Sequence, residues 1–187
     1  LNKKLFPNYE FKFFRFHLSN FIDNESKKRK RLQYFLESSL FKESDIIIIA
    51  SNFRKYGRYS EDIDALQEIN KIAKKYKKKL ILTSNVPQFE SIFSPVKDLT
   101  FKYKLKDLDG EFLSKELFKL INKNQYKKNE LLKDFAIKNN IAYLDTIYYL
   151  CNWKDNTCDA LDEDKNILHQ DSIHLTIKGA KYFGKKI

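Results

Sequence analysis

Methionine is absent from the 187 residues, so the chain has no start residue of its own and reads as a piece of something longer. No apolar run approaches the roughly 18 residues that mark a membrane-crossing helix. The longest, Ile46 to Ala50, is the size of a strand, and the piece itself is expected to be soluble. The opening LNKKLF offers no apolar signal-peptide core and no cleavage site. Only two cysteines occur, with no CxxC and no second ligand pair, which argues against zinc. Internal repeats and low-complexity linkers are also missing, and the length suits one globular domain, residues 1–187, around a single core.

What is abundant is lysine. The formal net charge is +11, a balance that raises nucleic acid or an anionic membrane as a partner. The lysines are scattered through segments such as KIAKKYKKK, beside many Asn, Ile and Phe, so solvated helix faces in a lysine-rich proteome account for most of them. Nucleic acid is therefore not the expected partner. The densest cluster, Lys27 to Arg31, suits phosphate or anionic lipid and a domain lying near a membrane surface. Cys151 and Cys158 stand in the polar loop CNWKDNTC. As the sole pair they suggest a small-loop disulfide and an oxidising compartment; two free thiols in a cytosolic protein is the alternative.

Along the chain, FKFFRF (11–16) reads as a strand. RLQYFLESSLF follows as a helix, with Leu32, Phe35, Leu36 and Leu40 at helical spacing. IIIIA has the pattern of a parallel strand buried on both faces. Ser60 is placed to cap the next helix, whose apolar face is Ile63, Leu66, Ile69, Ile72 and Ala73. Leu80 to Thr83 is a second strand, and Ser84 to about Gly110, with two of the three prolines, shows no clear period. A helical zone covers about 111–139, broken near 122–124, and IAYLD (141–145) is a further strand. Strands alternating with helices predict an α/β fold with a mainly parallel sheet, whose functional residues gather beyond the strands' C-terminal ends.

The most informative stretch is ILHQDSIHLTIKGAKYFGKKI. Asp171 and His174 are two residues apart, immediately before an amphipathic terminal helix with Thr176 at its cap position. A Ser-His-Asp mechanism needs a base that reaches the nucleophile and an acid that fixes the base's tautomer. One DxxH turn supplies both. By spacing alone the pattern is common, and a loop histidine is ordinarily just solvated.

The surrounding D-x-x-H-L-T-x-x-G-A resembles the last conserved block of the SGNH, or GDSL, hydrolase superfamily, and looks most like the SGNH domains fused behind membrane-embedded acyltransferase-3 modules. IIIIASNFRKY, LILTSNVPQF and the cysteine pair ahead of the DxxH block are similar to that subgroup in order and character. The resemblance covers about residues 10–187 and is specific only in the terminal block.

The resemblance implies a three-layer α/β/α, flavodoxin-like domain. Asp171 and His174 would be its catalytic acid and base, no metal or cofactor would be needed, and Asn52, after IIIIA, would be the oxyanion donor. Asn52 as a mere cap of the strand exit is an equal alternative, and Asn85 is a weaker candidate donor. His169 is expected to pack and His17 to be structural. The family's first block, a Gly-Asp-Ser turn after the first strand, has no counterpart here. The piece is thus expected to begin after the first strand, without its nucleophile; a degenerate, inactive domain is the alternative. For the whole protein the resemblance implies transfer of an acetyl-like group to a cell-surface glycan, the acyl donor arriving through an upstream membrane module and the domain facing the periplasm. A secreted or periplasmic esterase of carbohydrate or lipid, and a non-catalytic basic module that binds glycan or nucleic acid, are the rivals.

Overall fold

The computed structural model describes residues 26–50, 59–91, 93–104 and 109–186, together with positions 8, 10 and 12. The elements in chain order are α1 (Ser26–Glu37), α2 (Ser39–Glu43), β1 (Ile46–Ile49), α3 (Tyr59–Lys75), β2 (Lys79–Thr83), α4 (Pro95–Lys102), α5 (Gly110–Lys119), α6 (Lys123–Lys138), β3 (Ala142–Leu144), β4 (Cys151–Asn152), β5 (Thr157–Cys158) and α7 (Ile177–Lys186). They fall into two compact units, residues 1–83 with 134–143 and residues 84–133 with 144–187.

The first unit carries an α/β sheet in the order β1-β2-β3. β1 and β2 are parallel, from Ile46 opposite Lys79 to Ile49 opposite Leu82. Helix α3 connects them and buries Ala65, Leu66, Ile69 and Ala73 on one face. It stops at Lys77, whose φ of 54° turns the chain left-handed while the Lys78 N–H returns to the Ala73 carbonyl at 2.8 Å. The Lys78 ammonium then donates to the carbonyls of Lys42 and Ser44, at 3.2 and 2.6 Å, and so ties the end of α2 to the start of β2.

Three expectations for this unit are corrected. The helix expected over RLQYFLESSLF is two helices, because the Ser38 hydroxyl donates to the Phe35 carbonyl and accepts from the Phe41 N–H, ending one helix and capping the next. β1 is not buried on both faces: it ends the sheet order among the described residues, and Ile48 is 47% exposed. The central β2 is the buried strand. Ser60 lies inside the first turn of α3, not ahead of it. The strand expected at 11–16 lies, apart from position 12, outside the described residues.

The second unit packs around Phe89, Val96, Leu99, Leu113, Leu117, Ile121, Ile147, Leu150 and Ala160, with both cysteines in the same cluster. The stretch expected as an aperiodic loop, 84–110, contains α4. Pro95 opens this helix behind Ser94, and its two turns are too short to display a period, although Val96 and Leu99 are buried. Asp109 caps α5 by accepting the Phe112 N–H at 3.1 Å. CNWKDNTC is an antiparallel hairpin, β4 with β5, closed by the Cys151–Cys158 disulfide.

Candidate active site

Residues 168–176 form a small hairpin, with His169 bridged antiparallel to Leu175 and the Gln170 N–H donating to the His174 carbonyl at 2.9 Å. At its tip Asp171 serves two purposes. Its Oδ1 accepts the backbone N–H groups of Ile173 and His174 at 2.9 and 2.8 Å, the aspartate-capped turn that this side chain favours. Its carboxylate also receives the His174 ring at Nδ1, at 2.8 Å to Oδ2 and 3.1 Å to Oδ1. A carboxylate only accepts, so Nδ1 carries the proton and Nε2 is left with a lone pair. No described side chain is hydrogen-bonded to that Nε2, and the ring is 65% exposed. The N–H of Ile173, the His174 ring and the N–H of His174 hold the Asp171 carboxyl below the usual carboxylate range, against a smaller opposing effect of burial. The arrangement can take a proton at Nε2 and stabilise the resulting imidazolium.

The base of this hairpin explains the residues that follow it. Thr176 donates its hydroxyl to the Ile167 carbonyl at 2.8 Å and accepts the Gly179 N–H at 2.9 Å, capping α7. Its own N–H returns to the Leu168 carbonyl, also at 2.9 Å. A β-carbon at Gly179 would stand 2.0 Å from the Leu168 carbonyl oxygen and 2.8 Å from its carbon. Only glycine lets α7 approach so closely. The H-L-T-x-x-G spacing therefore seats the terminal helix directly on Leu168, ahead of the dyad.

The other candidates are distributed differently. Asn52 and His17 lie outside the described residues. Asn85 is buried and exchanges hydrogen bonds with Asn129: its backbone and side-chain amides donate to Oδ1, at 3.2 and 3.4 Å, and its carbonyl accepts Nδ2 at 3.2 Å. His169 is buried, 3% exposed, with Nε2 donating to the Asp159 carbonyl at 2.9 Å. Burial pushes His169 down to about 4, against the raising influence of that carbonyl and of the Asp159 charge. Cys151 and Cys158 are bonded to each other. Two features had no sequence signal. The buried Ser84 hydroxyl is paired with Thr146 at 2.7 Å and accepts the Thr146 N–H at the same distance, which occupies it structurally. The Phe89 N–H donates to the Ser172 carbonyl at 3.0 Å, in the middle of the DxxH turn.

The sheet and helices make this a mixed α/β protein, the class to which the SGNH fold belongs. The chain belongs to the family of SGNH domains fused to AT3 domains, whose model matches residues 16–187. It is similar in structure to the periplasmic domain of a lipopolysaccharide acetyltransferase from Salmonella ser. Paratyphi A, at 19% identity and a TM-score of 0.60, over 86% of this chain and 58% of that one. A proposed acylhydrolase from Bacteroides fragilis NCTC 9343 is similar at 17% identity and a TM-score of 0.50, over 84% of this chain and 65% of that one. A GDSL-like lipase from Bacteroides thetaiotaomicron VPI-5482 aligns at 16% identity and a TM-score of 0.49, over 84% and 66%. The chain thus spans 58% of the length of the acetyltransferase domain and 65% of that of the acylhydrolase. No curated protein matches it in sequence.

Proposed function

We propose that this chain is the base-bearing part of an SGNH O-acyltransferase domain that moves an acetyl or similar acyl group onto a cell-surface glycan. The observation that carries the reading is the Asp171–His174 pair, with Nδ1 held by the carboxylate and Nε2 free to accept a proton. Membership of a family fused to AT3 domains favours transfer over simple hydrolysis and supports an extracytoplasmic site beside a membrane. The acetyltransferase neighbour suggests lipopolysaccharide or a comparable glycan as acceptor.

In this reading residues 1–187 are the C-terminal part of the domain, and an upstream strand supplies the serine. His174 Nε2 takes the serine proton as Oγ attacks the acyl carbonyl of a donor delivered through the membrane module. It gives that proton to the donor's leaving group as the acyl-enzyme ester forms. It then deprotonates the glycan hydroxyl that attacks the ester, and returns the proton to the serine. Asp171 keeps the ring in the reactive tautomer throughout, and Asn52 is the proposed oxyanion donor. Hydrolysis of carbohydrate or lipid esters is the second reading, favoured by the fold likeness to the acylhydrolase; it needs water in place of the glycan hydroxyl. The rival of a non-catalytic basic module has no use for a carboxylate and an imidazole held 2.8 Å apart.

The test is p-nitrophenyl acetate turnover by the full polypeptide that carries this chain, beside His174→Ala. Turnover that falls at least about a thousandfold in the variant supports the serine mechanism. A variant as active as its parent defeats it, and product analysis with added glycan separates transfer from hydrolysis.

A further inference from the structure

The dyad sits on an exposed turn, so something beneath it must define where Nε2 points. We propose that His169 is the positioning residue for His174, an inference that rests on the proposed role of His174 as base. His169 lies in the hairpin stem, bridged to Leu175 on the far side of the dyad. Its ring and its carbonyl are engaged by other segments. Its ring donates through Nε2 to the Asp159 carbonyl at 2.9 Å, just beyond the disulfide hairpin. Its own carbonyl accepts the Ser94 hydroxyl at 3.1 Å, at the cap of α4. Its ring meets Phe89 edge to face, with centroids 4.8 Å apart. The same Phe89 donates its N–H to Ser172, inside the turn.

Asp159 is itself anchored, its carboxylate accepting the Tyr182 hydroxyl at 3.1 Å and the Lys186 ammonium at 2.5 Å, both from α7. The Asp159 carbonyl and the Phe89 ring therefore meet the buried imidazole two residues ahead of Asp171, while the α4 cap holds the same residue's main chain and the terminal helix holds Asp159. An apolar side chain at 169 would fill the space but leave the Asp159 carbonyl without its donor, and the stem could rotate about the His169–Leu175 bridge. A displacement of about 1 Å at the reacting nitrogen costs on the order of a hundredfold in rate. Packing alone asks only for an aromatic here. The ring nitrogen aimed at a carbonyl asks for a donor, which glutamine, whose side-chain amide reaches as far as Nε2, can replace.

The experiment uses the full polypeptide with His169→Leu and His169→Gln, reading ester turnover and the imidazole nitrogen resonances of His174. For His169→Leu, kcat should fall about tenfold to a hundredfold with KM within about twofold. The His174 resonances should move from the Nδ1–H tautomer toward a mixture. His169→Gln should stay within about threefold of the parent in kcat and keep its spectrum. Equal losses in the two variants, or a folded Leu variant with parental kcat and spectrum, overturn the proposal. Should His169→Leu fail to fold, Ser94→Ala frees the His169 carbonyl without touching the ring. A smaller kcat loss with the same spectral change is then expected, and parental values overturn the idea. If the parent has no His174-dependent turnover, the catalytic reading fails, whereas the nitrogen spectra still report whether His169 sets the His174 ring.

Discussion

At position 179 the main chain of α7 comes so near Leu168 that any β-carbon would overlap its carbonyl group. The clash is with backbone on both sides, so neither partner can rotate away. Gly179→Ala should cost about 1–3 kcal/mol of stability or more, measured by denaturant unfolding. It should also depress ester turnover, because the helix that must shift begins three residues beyond His174; an unchanged midpoint would show that α7 can slide. His169 supplies a second expectation. Its folded-state value of about 4 lies below the ordinary 6.5, so between these limits the unfolded chain binds more protons and stability falls as the pH drops. Above 6.5 the contribution is fully present. The full loss is on the order of 3 kcal/mol, and His169→Gln should remove it, flattening the unfolding free energy between pH 6.5 and 4 relative to the parent. Parallel curves for parent and variant would mean that the ring is hydrated.

The disulfide hairpin is the smallest element with an energetic consequence of its own. Its cross-link closes the chain from Cys151 to Cys158, and both side chains lie in the core of their unit beside Leu150 and Ala160. For a loop of this length the chain-entropy estimate is about 2–3 kcal/mol. Reduction, or the double change Cys151→Ala with Cys158→Ala, should shift the urea midpoint by that amount. It should also loosen Asp159, the residue after the bridge; a reduced protein as stable as the oxidised one would contradict this. What was legible in the sequence at this scale follows from element length. The long α3 was readable because its apolar period extends over many residues, and the strand at β2 because an apolar run follows a basic helix end. Helix α4 was not, since two turns give no period. The break at Ser38 was hidden because a hydroxyl that competes with the helix leaves the apolar spacing of Leu32, Phe35 and Leu40 intact. β1 looked doubly buried because four isoleucines read the same in a central strand and at the end of a sheet. In the site, the DxxH spacing exposed the dyad. The contacts that root it, Phe89 to Ser172 and His169 to Asp159, join residues 83 and 10 positions apart in the numbering, which no local pattern records.

Over the whole molecule, a net charge of +11 and a family fused to membrane AT3 domains fit a domain working against an anionic surface. No described helix is long and apolar enough to cross a membrane. The chain covers 58% of the length of the acetyltransferase domain it resembles, and in the proposed chemistry it carries the acid and the base. Under that proposal catalytic competence belongs to the complete polypeptide. The measurement that reaches this claim most directly is labelling of the full polypeptide with a fluorophosphonate, followed by mass spectrometry of its peptides. The account predicts one modified serine, upstream of Leu1, whose labelling is lost in His174→Ala. Labelling that proceeds equally fast in the variant, or no modified serine at all, would contradict a serine mechanism served by His174.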